Sequence, residues 1–252
     1  MNDAELFDRM LASLLASTRL VTGGAPSSSR IERDGLVASV VPSTPDRSVF
    51  NSVLYTAPET LTGMLDELAG TYEGAGVRAW TVWAPERDRD VVALLEREGH
   101  QLDANPAAMV LELEHFDRQV AGEVDFATDP RIAEIANLND LAYGYRGDFV
   151  RALGGLPESA AYRYVATLDS RPAAGMMTLD HQGDCFIAFV ATHPDARGRG
   201  LATALMTRAL LDARERGCTT TSLQATKMGQ PVYDRLGYRD LGPIQMWERR
   251  QL

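Results

Sequence analysis

Residues 189–203, FVATHPDARGRGLAT, constrain this chain more than any other stretch. They read as an apolar strand, a turn at Pro194, and Gly-rich backbone that opens a helix. Arg197, Gly200 and Ala202 fit the pattern [QR]-x-x-G-x-[GA], with Gly198 and Arg199 inside it. Glycine lets the main chain approach a ligand with no Cβ in the way. The first turn of a helix leaves N–H groups unpaired beside the positive end of the macrodipole. The combination predicts a phosphate cradle flanked by two arginines. Other phosphate loops fit worse. A P-loop needs Gly-Lys-Ser/Thr, and a dinucleotide fingerprint needs a third glycine where this chain has Thr203.

The rest of the chain punctuates into alternating helices and strands. Apolar periodicity predicts a helix over 4–17, and the Gly, Ser and Pro content of 22–29 a loop. Strands are expected at 36–41 and 49–55. A helix from Pro58 to about residue 72 follows, then a strand at 77–83, a helix at 88–98 and a strand at 107–113. A charged, Gly-containing stretch at 114–123 breaks the pattern and sets the expected domain boundary, giving units of 1–118 and 122–252. The second unit begins at 124–127 and continues with helices at 130–142 and 148–153. Residues 162–168 and 173–180 form a hairpin around a turn at 169–172. A nearly all-apolar strand at 186–191 suits the centre of a sheet. Then come a helix over 200–216, a strand at 219–225, a short helix at 230–236 and final strands at 238–249.

The two units echo each other in places. LLEREGHQ (94–101) aligns with VYDRLGYR (232–239), each a short helix that ends at a glycine and passes into a strand. The cradle has no such echo. Its counterpart, TAPETLTG (56–63), lacks Gly-x-Gly and arginine and carries Glu59, and Leu95 stands where the second unit has Tyr233.

The order strand, Arg-Gly-Arg-Gly-Leu-Ala, helix, strand, then Tyr233 ahead of Leu-Gly-Tyr resembles the GNAT acetyltransferase superfamily. The resemblance is strong over the second half and weak over the first. It implies an α/β (α+β) fold of tandem GNAT-like domains, each a mixed, mostly antiparallel sheet flanked by helices, the first a degenerate copy. It implies acetyl-CoA as co-substrate and direct attack by a small-molecule or peptide amine within a ternary complex. The cofactor-binding residues would be Val190, Ala191, Thr192, Arg197, Gly198, Arg199, Gly200, Leu201, Ala202 and Thr203. The strand 190–192 would splay from its neighbour so that its backbone meets the pantetheine, and one N–H would polarise the thioester carbonyl. Tyr233 would be the general acid on the departing thiolate, a moderate effect since a thiol pKa near 8.5 already makes a tolerable leaving group. The first unit would shape the acceptor cleft or mediate dimerisation. The alternative reading is a module that binds acetyl-CoA without turnover.

The general base has no candidate in the sequence. Asp180, His181 and Asp184 read as exposed turn residues, and His193 as structural or solvent-facing. Ser222 and Gln224 are placed to hold a water. The resemblance implies that the acceptor is gripped by 137–156, where Tyr143, Tyr145, Arg146, Asp148 and Phe149 fit either an amine held by cation–π contact and charge or the packing of a domain interface; Arg146 argues against a strongly cationic substrate. No metal site is expected. Net charge is −10, which argues against nucleic acid as a partner. Cys185 and Cys218 are expected as buried free thiols. The acidic N-terminus is unlike a signal peptide and no apolar run is long enough to span a membrane, so the expectation is a cytoplasmic protein.

Overall fold

A computed structural model describes residues 1–251 except 121 and 123. Those two fall in the stretch where the sequence sets the domain boundary; with Leu252, they lie outside the described residues. Among the described residues there are twelve strands and seven α-helices. The first half runs α1 (Asp3–Thr22), β1 (Ser29–Arg33), β2 (Leu36–Val40), β3 (Ser52–Tyr55), α2 (Pro58–Gly74), β4 (Ala79–Pro85), α3 (Arg89–Arg97), β5 (Gln101–Ala104) and β6 (Ala107–Glu112). The second runs β7 (Asp125–Phe126), α4 (Ile132–Tyr143), α5 (Asp148–Leu153), β8 (Tyr162–Leu168), β9 (Arg171–His181), β10 (Asp184–Thr192), α6 (Leu201–Glu215), β11 (Thr220–Ala225), α7 (Gln230–Leu236) and β12 (Arg239–Arg250).

Most of this follows the sequence pattern, with three differences. Helix α1 continues past residue 17 to Thr22, and β1 forms at Ser29–Arg33, where the sequence pattern assigns no strand. Residues 49–51 stay outside β3.

All strands join one mixed, mostly antiparallel sheet in the order β1-β2-β3-β4-β12-β6-β11-β10-β9-β8-β7, with β5 against β12. Each half repeats one plan: an antiparallel ladder, a helix, a parallel neighbour, a short helix and a closing segment, β5 and β6 in the first half and the single long β12 in the second. The closing segments are exchanged between the halves. β6 of the first half pairs with β11 of the second, over Ala107–Glu112 against Ala225–Thr220. The end of β12, Ile244–Arg250, pairs with β4 of the first. Its beginning, Arg239–Pro243, pairs with β6, and β5 pairs with the end of β12. The echo at 94–101 and 232–239 is structural: His100 N–H donates to the Leu95 carbonyl at 2.9 Å and Tyr238 N–H to the Tyr233 carbonyl at 3.1 Å.

Helices α2, α3, α6 and α7 cover one face, where they bury alternate strand residues such as Val53, Val82, Ile187 and Leu223. Helices α1, α4 and α5 cover the other. α1 starts with a capping box, Asn2 accepting from Glu5 N–H at 2.9 Å while Glu5 accepts from Asn2 N–H at 3.0 Å. Its stripe of Leu6, Phe7, Met10, Leu11, Leu14 and Leu15 packs on Val37 and Leu54 of the first half and on Phe186 of the second. Each such side chain contributes about 1.5–3 kcal/mol of burial. α1 thereby joins the two halves of the sheet. No helix among the described residues is long and apolar enough to cross a membrane. Both cysteines are free and buried.

Candidate functional site

The site begins where β10 and β11 part. They pair in parallel only over Asp184–Phe186 and Thr220–Ser222, although β10 runs on to Thr192 and β11 to Ala225. Beyond Phe186 the two backbones are unpaired with each other, which is the splay expected along 190–192. On its other side β10 carries a bulge. Ala188 pairs with Met177 and Ala191 with Gly175, so Phe189 and Val190 together oppose Met176. Phe189 has φ 57°, a left-handed conformation that costs a bulky residue energy. Asn139, 1% exposed on α4, secures it by donating to the Phe189 carbonyl at 2.9 Å. Gly175 lets α4 press onto the bulge, since a Cβ there would meet Leu138 at 3.0 Å. Asn139, Gly175 and Phe189 escaped the sequence reading; an unexplained glycine in a strand, at 175, was the available signal.

The chain then turns through Pro194–Ala196, where His193 Nδ1 accepts from Asp195 N–H at 3.2 Å. His193 is thus a capping residue. Gly198 and Gly200 both have φ 77°, with no atom within 4 Å of where a Cβ would stand. Gly200 is the left-handed residue before α6, which has no side-chain cap. The N–H groups of Gly198, Arg199, Gly200, Leu201, Ala202 and Thr203 donate to no partner among the described residues. Six consecutive free donors at the positive end of a fifteen-residue helix make an anion cradle. Arg197 ties it to α4 by donating to the Ala142 carbonyl at 3.2 Å, in the last turn of that helix.

Tyr233 lies on α7, 8% exposed, with its ring edge-on to Tyr238 at 5.8 Å. Tyr238 hydrogen-bonds Thr221 at 3.0 Å. The Tyr233 hydroxyl makes no hydrogen bond to the described residues and is not among the sealed unpaired atoms. Burial, and then the nearby Tyr143, raise its pKa, so the phenol keeps its proton at neutral pH.

The opposite wall is aromatic. Tyr143, Tyr145 and Phe149 lie 5.7–6.2 Å apart, and Phe149 meets the bulged Phe189 edge-on at 5.8 Å. The first half reaches this wall. Phe50 packs on Phe149 at 5.0 Å, and Arg47 lies 4.2 Å from the Tyr145 ring centre while it pairs with Asp148 at 2.7 Å.

The expected water-holding residues face elsewhere. Ser222 donates to Asp184, and Gln224 donates to the Met10 thioether at 2.9 Å. Asp184 itself corrects the sequence reading. It is 0% exposed, not a turn residue, and also accepts from Thr220 at 2.8 Å. Burial raises its pKa. It stands at the start of β10, whereas the bulge is at the other end. Asp180 is half-buried and pairs with Arg216 at 2.7 Å; His181 is likewise half-buried.

The counterpart cradle in the first half is plugged. Thr56 and Ala57 N–H both donate to the Gly35 carbonyl, at 2.8 and 3.3 Å, and Pro58 has no N–H to offer. Gly35 is required there, because a Cβ would stand 2.5 Å from that of Ala57. Leu95, the counterpart of Tyr233, is sealed at 0% exposure.

The acetyltransferase (GNAT) family profile matches residues 132–238. No curated protein matches the sequence significantly. Solved structures of similar fold include a GCN5-related N-acetyltransferase from Kribbella flavida, 19% identical, with a TM-score of 0.65 over 96% of both chains. A second, from Sphaerobacter thermophilus, is 15% identical with a TM-score of 0.60 over 99% of this chain and 94% of that one. A tandem GNAT protein from the clavulanic acid biosynthesis pathway is 14% identical with a TM-score of 0.62 over 96% and 95%. Residues 132–238 therefore match the acetyltransferase (GNAT) family profile, and the whole chain shares the fold of these solved structures, a tandem GNAT protein among them.

Proposed function

We propose that this chain is an acetyl-CoA-dependent N-acyltransferase whose single working site lies in the second half, residues 122–252. The observation that carries the reading is the row of six free N–H groups from Gly198 to Thr203, set at the end of the β10–β11 splay. The row fits a pyrophosphate, and the open space over Gly198 and Gly200 admits one. Arg197 and Arg199 add charge beside it. Acetyl-CoA, when bound, supplies an acetyl group activated as a thioester.

The chain's own residues do the rest. The backbone of Val190, Ala191 and Thr192 lines the splay and orients the pantetheine arm. Val190, in the bulge, offers an N–H outside the β9 register to polarise the carbonyl. The Tyr233 hydroxyl holds a proton for the sulfur as the C–S bond breaks, and water restores that proton. The amine forms the C–N bond and releases its protons to solvent. The plugged cradle at Thr56 and Ala57 and the sealed Leu95 support a first half, residues 1–118, without a cofactor site.

One observation favours binding without turnover: the nearby carboxylates of Asp140 and Asp148 are both engaged, and Asp184 is sealed away. Thiol release from acetyl-CoA across an amine panel separates the readings. Turnover is expected, with Tyr233→Phe lowering kcat about 10- to 100-fold at unchanged KM for acetyl-CoA. Thiol release no faster than hydrolysis with every amine would leave the binding module.

A further inference from the structure

Resting on the acyltransferase reading, we infer that the acceptor is an amine whose body carries a carboxylate, and that Arg47 of the first half binds that carboxylate. The argument starts from the acidic residues of the acceptor wall. A cationic acceptor, such as a polyamine, needs free carboxylates there. Both candidates are consumed. Asp140 accepts from the N–H groups of Phe149 at 3.0 Å and Val150 at 3.2 Å, capping α5. Asp148 is paired with Arg47 and with Arg151.

What remains is positive. Arg47 hydrogen-bonds Asp148 through Nε alone, and its two Nη groups make no hydrogen bond among the described residues; Asp46, the other carboxylate acting on it, is engaged by Arg78. Its side chain is 37% exposed, so solvent reaches it. Asp148 and the Tyr145 ring hold the guanidinium plane, which removes much of the entropy cost of binding. A fixed guanidinium edge with two parallel donors matches a carboxylate. Arg146, exposed on the same turn, adds to the field. In a chain of net charge −10 such a patch is a local exception. The cofactor's phosphates have their own donors in the cradle. Tyr143, which is close enough to raise the pKa of Tyr233, links the patch to the reacting end of the site.

The loop that carries Arg47 is built for rigidity. Asn51, 0% exposed, accepts from Val41 N–H at 2.7 Å and donates to the carbonyls of Thr44 and Arg47 at 3.0 and 3.1 Å. The first half, without a cofactor site of its own, thus contributes a binding residue to the second.

The test uses the full chain, acetyl-CoA, and two acceptor pools: the twenty amino acids and their carboxamides. Spermidine is the cationic control. The amino-acid pool should be acetylated at least tenfold faster than the amide pool, and spermidine not measurably. Arg47→Met should raise KM for the preferred amino acid about tenfold or more and leave KM for acetyl-CoA unchanged, with Arg47→Lys intermediate. Asp148→Asn breaks the same ion pair but keeps the cation, so it should retain the preference. Equal rates for acids and amides, faster spermidine, or equal damage from Arg47→Met and Asp148→Asn would overturn the inference. So would inertness of both pools toward a protein that acetyl-CoA still stabilises. Loss of stabilisation by acetyl-CoA would instead refute the underlying acyltransferase reading.

Discussion

His100 is 3% exposed, edge-on to Trp80 at 4.7 Å, and neither ring nitrogen has a hydrogen-bond partner among the described residues. Burial, and then Arg249, lower its pKa to about 4. Between the usual value near 6.5 and that value, the unfolded chain takes up a proton that the folded chain refuses. Stability therefore falls as pH drops from about 6.5 to about 4, by roughly 3 kcal/mol at most. Asp184 acts in the opposite sense. Its raised pKa makes its contribution greatest at low pH and lost as pH rises through the folded value. Urea unfolding of wild type and His100→Phe at pH 4.5 and 7 separates the two: the acid loss should shrink in the variant. An unchanged loss would mean that His100 is not the group responsible. Asp184 also shows where residue-level reading fails. It follows a Gln-Gly turn and looks exposed, but the hydroxyls that bury it, on Thr220 and Ser222, belong to another strand.

At the scale of elements, the cradle was legible because its signals are local. Positive φ at Gly198 and Gly200, the Pro194 turn and the start of α6 all lie within one short run. The bulge beside it was not, because its left-handed residue is Phe189 and the side chain that secures it, Asn139, is fifty residues away. The loop 41–51 was half read, as a strand, because apolar Val49 and Phe50 continue the pattern of β3. Its conformation comes from the buried amide of Asn51. Asn51→Ala removes three hydrogen bonds and strands the buried Val41 N–H. The expected cost is about 2–4 kcal/mol, read as a lower urea midpoint at unchanged slope. A loss under about 0.5 kcal/mol would show that the loop holds its shape without Asn51.

At the scale of the molecule, the tandem plan was readable from the repeated helix–glycine–strand signature, and the exchange of closing strands was not. Two strands with the same apolar pattern can swap neighbours without any change in sequence that marks it. The exchange has a consequence for the halves. Residues 122–252 alone lack β6, which separates β11 from β12, and residues 1–118 alone lack the end of β12 between β4 and β5. Each fragment should be expanded or aggregated when expressed alone, and co-expression should recover a compact heterodimer by size-exclusion chromatography. A monomeric 122–252 fragment with cooperative unfolding would show that the exchanged strands are dispensable. α1 reinforces the coupling, since its apolar stripe packs against sheet strands of both halves.

The measurement that bears most directly on the central claim is thermal unfolding with and without excess acetyl-CoA, on wild type and on Arg197→Glu. At about one hundred times its dissociation constant, a ligand bound only by the folded state stabilises it by roughly 2.7 kcal/mol. The account predicts such a shift in wild type and its loss when Arg197 beside the cradle becomes an anion. No shift in wild type, or an equal shift in both proteins, would contradict a cofactor site at Gly198–Thr203.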